Sequence, residues 1–281
     1  MEKDNKDNKD NKDNKMSLVV THDAGFFSCC SMKLFEIINY FNKHKILPDS
    51  VDSSAQFKLY KQNGHENEDV TFDYFEHYDH IPDEITWKED IYYHWCQQFQ
   101  NYSEINYEKL IPFIKKYFSP SVEIREIIKE MENKYNLDYE NICVLFYRGN
   151  DKNTETFICD YDQYIDLTKN ILNCNPSMQF LIQSDETEFI EKMMSEFPGR
   201  SFYFSDETRH IHKCNNTVDI VMRDKNHIFS KYFLAITIIM SKCKFIVCGS
   251  GNISIWTTFY REKNRNVIQN FQGRWYYNIV S

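Results

Sequence analysis

The chain has 281 residues, 42% hydrophobic and 16% aromatic, with a formal net charge of −9. That length and apolar fraction suffice for an ordinary buried core, which excludes a wholly disordered chain. The acidic balance, with a pI near 5.5, excludes broad electrostatic binding of nucleic acid but not a local basic pocket for an anionic small molecule. Nine cysteines include the adjacent pair Cys29-Cys30 and form no CxxC pair, so a zinc ribbon is not expected. No secretory signal opens the sequence, so the cysteines read as free thiols and the chain as soluble, intracellular and cytoplasmic. The longest apolar run, near Tyr232 to Met240, is too short to span a bilayer, and no transmembrane segment is expected.

Residues 4–15 are four copies of Asp-Asn-Lys. With no apolar residue the tract cannot offset the entropy of ordering, so residues 1–15 read as a disordered tail and Met16 as the start of the folded part. Ser17 to Thr21 reads as a strand that ends in His22-Asp23-Ala24-Gly25-Phe26-Phe27-Ser28. Leu34, Ile37, Ile38 and Phe41 then recur at helical spacing, which predicts a helix from about Ser28 to Asn42. Strand, glycine-containing turn and helix make a βα unit whose loop faces the ligand side of a sheet. Pro48 to Ser53 is the next candidate strand. Residues 56–118 are rich in Tyr, Phe, His and acids without a sustained period, and read as irregular and partly helical. His65, His77, His80 and His94 match no metal-ligand spacing, and no metal is expected there. Ser119-Pro120 reads as an N-cap and first helical position for a helix running to about Lys134. The polar stretch from Tyr135 to Asn141 divides the chain into an N-terminal α/β domain, 16–138, and a C-terminal domain, 139–281.

In that C-terminal part the alternation is regular. Ile142 to Tyr147 is an uncharged run ending in Arg148-Gly149-Asn150-Asp151-Lys152, the pattern of a buried parallel strand. A helix bearing Tyr164, Ile165, Thr168, Ile171 and Leu172 follows, then a strand at Met178 to Ile182 ending in Gln183-Ser184-Asp185-Glu186. A helix carrying Phe189, Ile190, Met193, Met194 and Phe197 stops at Pro198-Gly199, and Ser201 to Phe204 is a strand. A long polar loop, a helix over about Ile228 to Ser241, a strand at Phe245 to Cys248 and Gly249-Ser250-Gly251-Asn252-Ile253-Ser254, opening a last helix, complete the series. Strands alternating with helices predict a parallel, Rossmann-like sheet with right-handed crossovers.

Ligands of such sheets bind beyond the carboxyl ends of the strands. Arg148 supplies a planar fork and Lys152 a compact charge for phosphate oxygens, although the same cluster suits a solvated turn. Gly249 and Gly251 allow close backbone approach, and Ser250, Asn252 and Ser254 sit at a helix N-terminus, a natural phosphate site as well as a plain turn and cap. Asp185 has the acceptor chemistry to read a ribose or base edge, or to cap the helix that follows.

At these residues the sequence resembles the α1,6-, α1,2- and protein O-fucosyltransferase superfamily. YRGNDK is similar to its first motif, a strand ending in His-x-Arg-x-x-Asp-Lys; LIQSDE resembles the second and SKCKFIVCGSGNIS the third. HDAGFFS and its helix resemble the N-terminal glycine-containing loop of the same enzymes. The resemblance implies a GT-B architecture, two Rossmann-like domains facing across a cleft, with the acceptor on the N-terminal side and the nucleotide sugar on the C-terminal side. It implies an inverting transferase that takes fucose from GDP-fucose to a glycan or protein hydroxyl, with no metal and no other cofactor. Arg148 matches the arginine on the β-phosphate, Asp151 and Lys152 the residues bracing its loop, Asp185 an acid near the nucleoside and Ser250 a phosphate-side serine. Gly25, Phe26, Gly251, Asn252 and Ser254 complete the expected donor-binding set. Two departures stand out: Phe146 occupies the histidine position of the first motif, and an apolar residue near Ile236 replaces an aspartate upstream of the third. They leave room for another nucleotide sugar, or for a degenerate domain that binds glycan or nucleotide without turnover.

The chemistry suits the residues by itself. A departing diphosphate develops charge in the transition state, which Arg148, Lys152 and helix amides would stabilise. Inversion also needs a base for the acceptor hydroxyl, for which His22 and Asp23 are the candidates, both equally suited to forming the turn beside Gly25. A kinase-like phosphotransferase would need a Walker or glycine-rich loop that the sequence lacks.

Overall fold

The computed structural model describes residues 17–82 and 85–278; the Asp-Asn-Lys tract and Met16 lie outside them. In chain order, β1 (Ser17–Val19), α1 (Phe26–His44) and β2 (Ser50–Asp52) form a parallel βαβ unit with Leu18 opposite Val51. Next come α2 (Thr71–Tyr74), α3 (Tyr107–Phe118) and α4 (Val122–Tyr135). The second half runs β3 (Ile142–Tyr147), α5 (Tyr161–Cys174), β4 (Gln179–Ser184), α6 (Thr187–Glu196) and β5 (Ser201–Phe202). It continues through α7 (Val218–Val221), α8 (Asn226–Lys242), β6 (Phe245–Gly249), α9 (Asn252–Arg261), β7 (Val267–Phe271) and β8 (Arg274–Asn278).

The main sheet has the order β5-β4-β3-β6-β7-β8, parallel except for the β7-β8 hairpin. β3 lies inside it, paired on one side with β4 and on the other with β6. Its freedom from charge follows from that place, because both faces are covered. Cys143, Leu145 and Tyr147 pack with Tyr164 and Ile165 of α5 and Phe189 and Met193 of α6. Ile142, Val144 and Phe146 face the other way, into the core built by α8 and α9. A strand buried on both faces needs no polar alternation.

The second of these cores continues without a break into the N-terminal half. Trp256 on α9 is fully buried, with the rings of Phe27 and Phe118 centred 5.9 and 4.7 Å away. An aromatic side chain removed from water over ~150–250 Å² contributes about 4–6 kcal/mol at the usual area coefficient. Phe26 anchors a second aromatic group, with Tyr74 at 4.8 Å and Phe57 at 5.4 Å. The expected N-terminal strands are therefore short and few, and aromatic packing against α8 and α9 organises this half.

Several boundaries differ from expectation for local reasons. The cap of α4 is Ser121, whose Oγ accepts from the Ile124 amide at 3.4 Å; Ser119 instead donates to the Lys115 carbonyl and closes α3. α3 lay hidden in the aromatic stretch; Asn106 caps it, and Leu110, Ile111, Phe113, Ile114, Tyr117 and Phe118 are buried. β4 begins one residue later than expected and runs on through Gln183 and Ser184, whose buried side chains accept hydrogen bonds from the Thr208 hydroxyl and the Glu186 amide. The β7-β8 hairpin was not anticipated. Its two-residue loop, Gln272-Gly273, has φ of 51° and 75°, the positive values a twisted hairpin requires. The nine cysteines are all free. No helix among the described residues is long and apolar enough to cross a membrane.

Candidate active site

The loop after β3 is tied down by the end of the neighbouring strand. The Gly149 amide donates to Asp185 Oδ1 at 3.0 Å, and the Asn150 amide to Glu186 Oε2 at 3.2 Å. Asn150, at a φ of 41°, also donates from Nδ2 to the Asp185 carbonyl at 2.8 Å. Gly149 is required here, since a Cβ would lie 1.7 Å from Glu186 Oε2. Asp185 thus orders the RGND turn; it does not cap α6, which begins without a side-chain cap.

Arg148 is clasped from two sides. Its Nε lies 2.8 Å from Asp185 Oδ2, and an Nη donates to Asp151 Oδ1 at 2.9 Å. Burial disfavours the guanidinium charge, but Asp185 and Asp151 outweigh it, so the pKa is raised above its ordinary value. Arg148 therefore stays charged at all working pH. Its side chain keeps 28% exposure and lines a cavity of about 670 Å³ at the carboxyl edge of the sheet.

Lys152 reaches the same cavity. It pairs with Glu155, and Nζ stands 5.1 Å from the centre of the Phe99 ring. Gly251, at φ 157° and ψ 173°, takes a conformation essentially reserved for glycine, and a Cβ on it would come within 3.2 Å of Lys152 Cε. The lysine thus lies against the loop that opens α9, whose first amides carry the helix's positive end. Tyr102 holds that loop from below: its hydroxyl bonds the Gly251 amide and carbonyl, each at 3.2 Å, and its amide donates to Gln269 Oε1 at 2.9 Å.

Of the residues singled out from sequence, Gly25, Phe26, Arg148, Asp151, Lys152, Ser250, Gly251, Asn252 and Ser254 all line this cavity. Asp185 lies behind Arg148, on a small adjoining cavity of about 70 Å³. Some are engaged elsewhere. Ser250 Oγ donates to the Asn270 carbonyl at 2.9 Å, Asn252 Oδ1 accepts from Ser31 at 2.8 Å, and the Phe26 amide is bonded by Tyr60 at 2.9 Å. His22 and Asp23 are not on the cavity wall. His22 Nε2 sits 3.0 Å from Ser28 Oγ, and Asp23 accepts from the Lys58 amide at 3.0 Å, so both organise the turn. Among the described residues no group of three or more potential ligand side chains is placed to hold a metal ion.

Sequence reasoning missed Asp219, Gln98 and Asn270, which also line the cavity. Asp219 is brought in by the short α7, within the polar segment before α8, and its Oδ2 accepts from the Tyr60 hydroxyl at 2.7 Å. Gln98 comes from the aromatic stretch and Asn270 from β7. The one usable signal was the Gln272-Gly273 turn between two runs rich in β-branched and aromatic residues.

No protein-family model and no curated protein sequence matches the chain. Among solved structures it is similar to NodZ α-1,6-fucosyltransferase soaked with GDP-fucose, with a TM-score of 0.56 and 10% identity over 93% of this chain and 98% of that one. The fucosyltransferase NodZ from Bradyrhizobium matches with a TM-score of 0.53 and 10% identity, covering 91% of this chain and 95% of that one. NodZ co-crystallised with GDP gives a TM-score of 0.50 and 10% identity over 88% and 92%. The fold is thus the fucosyltransferase-like GT-B fold.

Proposed function

We propose that the chain is an inverting, metal-independent glycosyltransferase that moves fucose from GDP-fucose to a hydroxyl of a glycan or protein. The observation that carries this reading is the charged Arg148, with Lys152 and the start of α9 beside it, on one cavity at the carboxyl ends of β3 and β6. These groups are cationic or N–H donors fixed by their neighbours, which is what a leaving diphosphate requires. The fold supports the reading, since NodZ has been crystallised with GDP and with GDP-fucose.

In the proposed step the acceptor oxygen attacks C1 of the sugar from the face opposite the diphosphate. The C1–O bond to the β-phosphate breaks, and its electron pair leaves on the diphosphate, beside Arg148 and Lys152. The acceptor proton passes to a base on the cavity. Of the carboxylates there, Asp151 is held by Arg148 and Glu155 by Lys152, whereas Asp219 makes no ion pair among the described residues and is oriented by Tyr60. Asp219 is therefore assigned the base role in place of His22 and Asp23.

The test is calorimetry with GDP in EDTA, followed by turnover of GDP-fucose. Binding without added metal is expected; a strict need for Mg²⁺ or Mn²⁺ would move the protein to another transferase class. A second reading, a domain that binds nucleotide without turnover, is favoured by one observation: Arg148 is already paired with two carboxylates. GDP binding with no transfer to any acceptor would select it.

A further inference from the structure

We infer that Asn270 and Gln98 form the subsite that recognises the sugar of the donor, and so set which sugar nucleotide is accepted. The inference rests on the donor reading above. Asn270 is 3% exposed and Gln98 5%, and both line the cavity. Among the described residues neither Asn270 Nδ2 nor its Oδ1 has a hydrogen-bond partner, and Gln98 Oε1 has none either. Buried amide atoms are nearly always paired, because an unpaired one carries its full desolvation cost. Two such side chains on one cavity are accounted for by a ligand that supplies the missing partners.

Their position says which part of the ligand. Along the sheet the order of strand ends is β4 with Asp185, β3 with Arg148, β6 with Gly249, then β7 with Asn270 opposite Gly249. Two strand spacings, about 10 Å, therefore separate the strand of the arginine from that of Asn270. A diphosphate held at β3 and β6 has the nucleoside on one side and the sugar on the other. The small cavity beside Asp185 lies toward β4, which leaves the β7 side for the sugar.

The chemistry agrees. Uncharged amides offer a donor and acceptors together, as paired sugar hydroxyls require, and they attract no phosphate charge. Trp95 and Phe99 also line the cavity and add apolar aromatic surface against which a sugar's C–H groups pack. Tyr102 ties the subsite together: its one hydroxyl proton is shared between the Gly251 and Gln98 carbonyls, and its amide donates to Gln269, next to Asn270.

The experiment is titration calorimetry of wild type, Asn270→Leu and Gln98→Met with GDP, GDP-fucose and GDP-mannose. Asn270→Leu keeps the branched four-atom shape and Gln98→Met the unbranched one, and each removes polar atoms that have no partner among the described residues, so the ligand-free melting temperature should not fall. Each variant should raise Kd for the wild-type sugar nucleotide by about tenfold while Kd for GDP stays within about twofold. Equal weakening of GDP and the sugar nucleotides, or no change in either, would overturn the inference and leave the donor reading standing. A wild-type protein that binds none of the three would overturn both.

Discussion

Arg148 Nε stands 2.8 Å from Asp185 Oδ2, while the other end of the same guanidinium donates to Asp151 at 2.9 Å. The two carboxylates come from different strand ends, so the side chain is aimed before any ligand arrives. Only a forked cation can satisfy both and still offer N–H donors to a diphosphate. Arg148→Ala should lower kcat on the order of a hundredfold or more, as removing one preorganised donor from an oxyanion site does. Arg148→Lys should not rescue it. Turnover of GDP-fucose, with melts to show that both variants fold, decides the matter; wild-type turnover by Arg148→Ala would remove most of the case for an enzyme.

Asp219 carries a separate expectation. If it takes the acceptor proton, Asp219→Asn should lower kcat by about 10²–10⁴ and leave GDP affinity near wild type. Tyr60→Phe, which removes only the hydroxyl that orients it, should cost less. The comparison is kcat against KM for the three proteins, and a loss confined to KM would contradict the assignment.

The crowding of Gly149 by Glu186 predicts a stability effect unrelated to ligand. Glu186 is fully buried and accepts from the Asn150 amide, so it cannot swing clear of an added methyl. Gly149→Ala should cost about 1–3 kcal/mol through overpacking. In Gly149→Ala with Glu186→Ala the closest contact is gone and only Tyr147 Cε1, at 2.9 Å, still crowds the methyl, so the double variant should be more stable than the sum of the two singles implies. Additive losses in urea melts would show that the contact does not matter.

Lys33 predicts a pH dependence. It is fully buried on α1 with Nζ 3.0 Å from Thr71 Oγ1, and burial pushes its pKa down to about 8 from 10.5, against the pull of Asp69, Cys30 and Asp52. Between those pH values the unfolded chain holds a proton that the folded chain has released. This group's contribution to stability therefore rises with pH across that window, and its penalty is complete below pH 8. Lys33→Met should remove this charging penalty, on the order of 3 kcal/mol at pH 7, offset by the lost hydrogen bond to Thr71. The gain should fade toward pH 10.5, and a difference from wild type that does not change between pH 7 and 10 would refute it.

The part of this molecule determined by the sequence alone is the part whose signals are local. Ile142 to Tyr147 carries no charge because both its faces are covered, and that absence can be read without knowing what covers them. β4 and β6 follow for the same reason, α5, α6 and α8 from apolar residues at helical spacing and the loop before α9 from its glycines, and with them the gathering of Arg148, Lys152 and Ser250–Ser254 at one sheet edge. Tertiary structure decided what depends on meetings between distant residues. Asp185 serves Arg148 and the Gly149 amide, not a helix cap, because parallel pairing sets β4 beside β3 with Ser184 opposite Tyr147. His22 and Asp23 turn to Ser28 and Lys58, while Asp219, on the single-turn α7 that no sequence period marks, is held at the cavity by Tyr60, 159 positions away in sequence. Gln98 and Asn270 meet there only because Tyr102 fastens their segments together, and no periodicity records a contact of that kind.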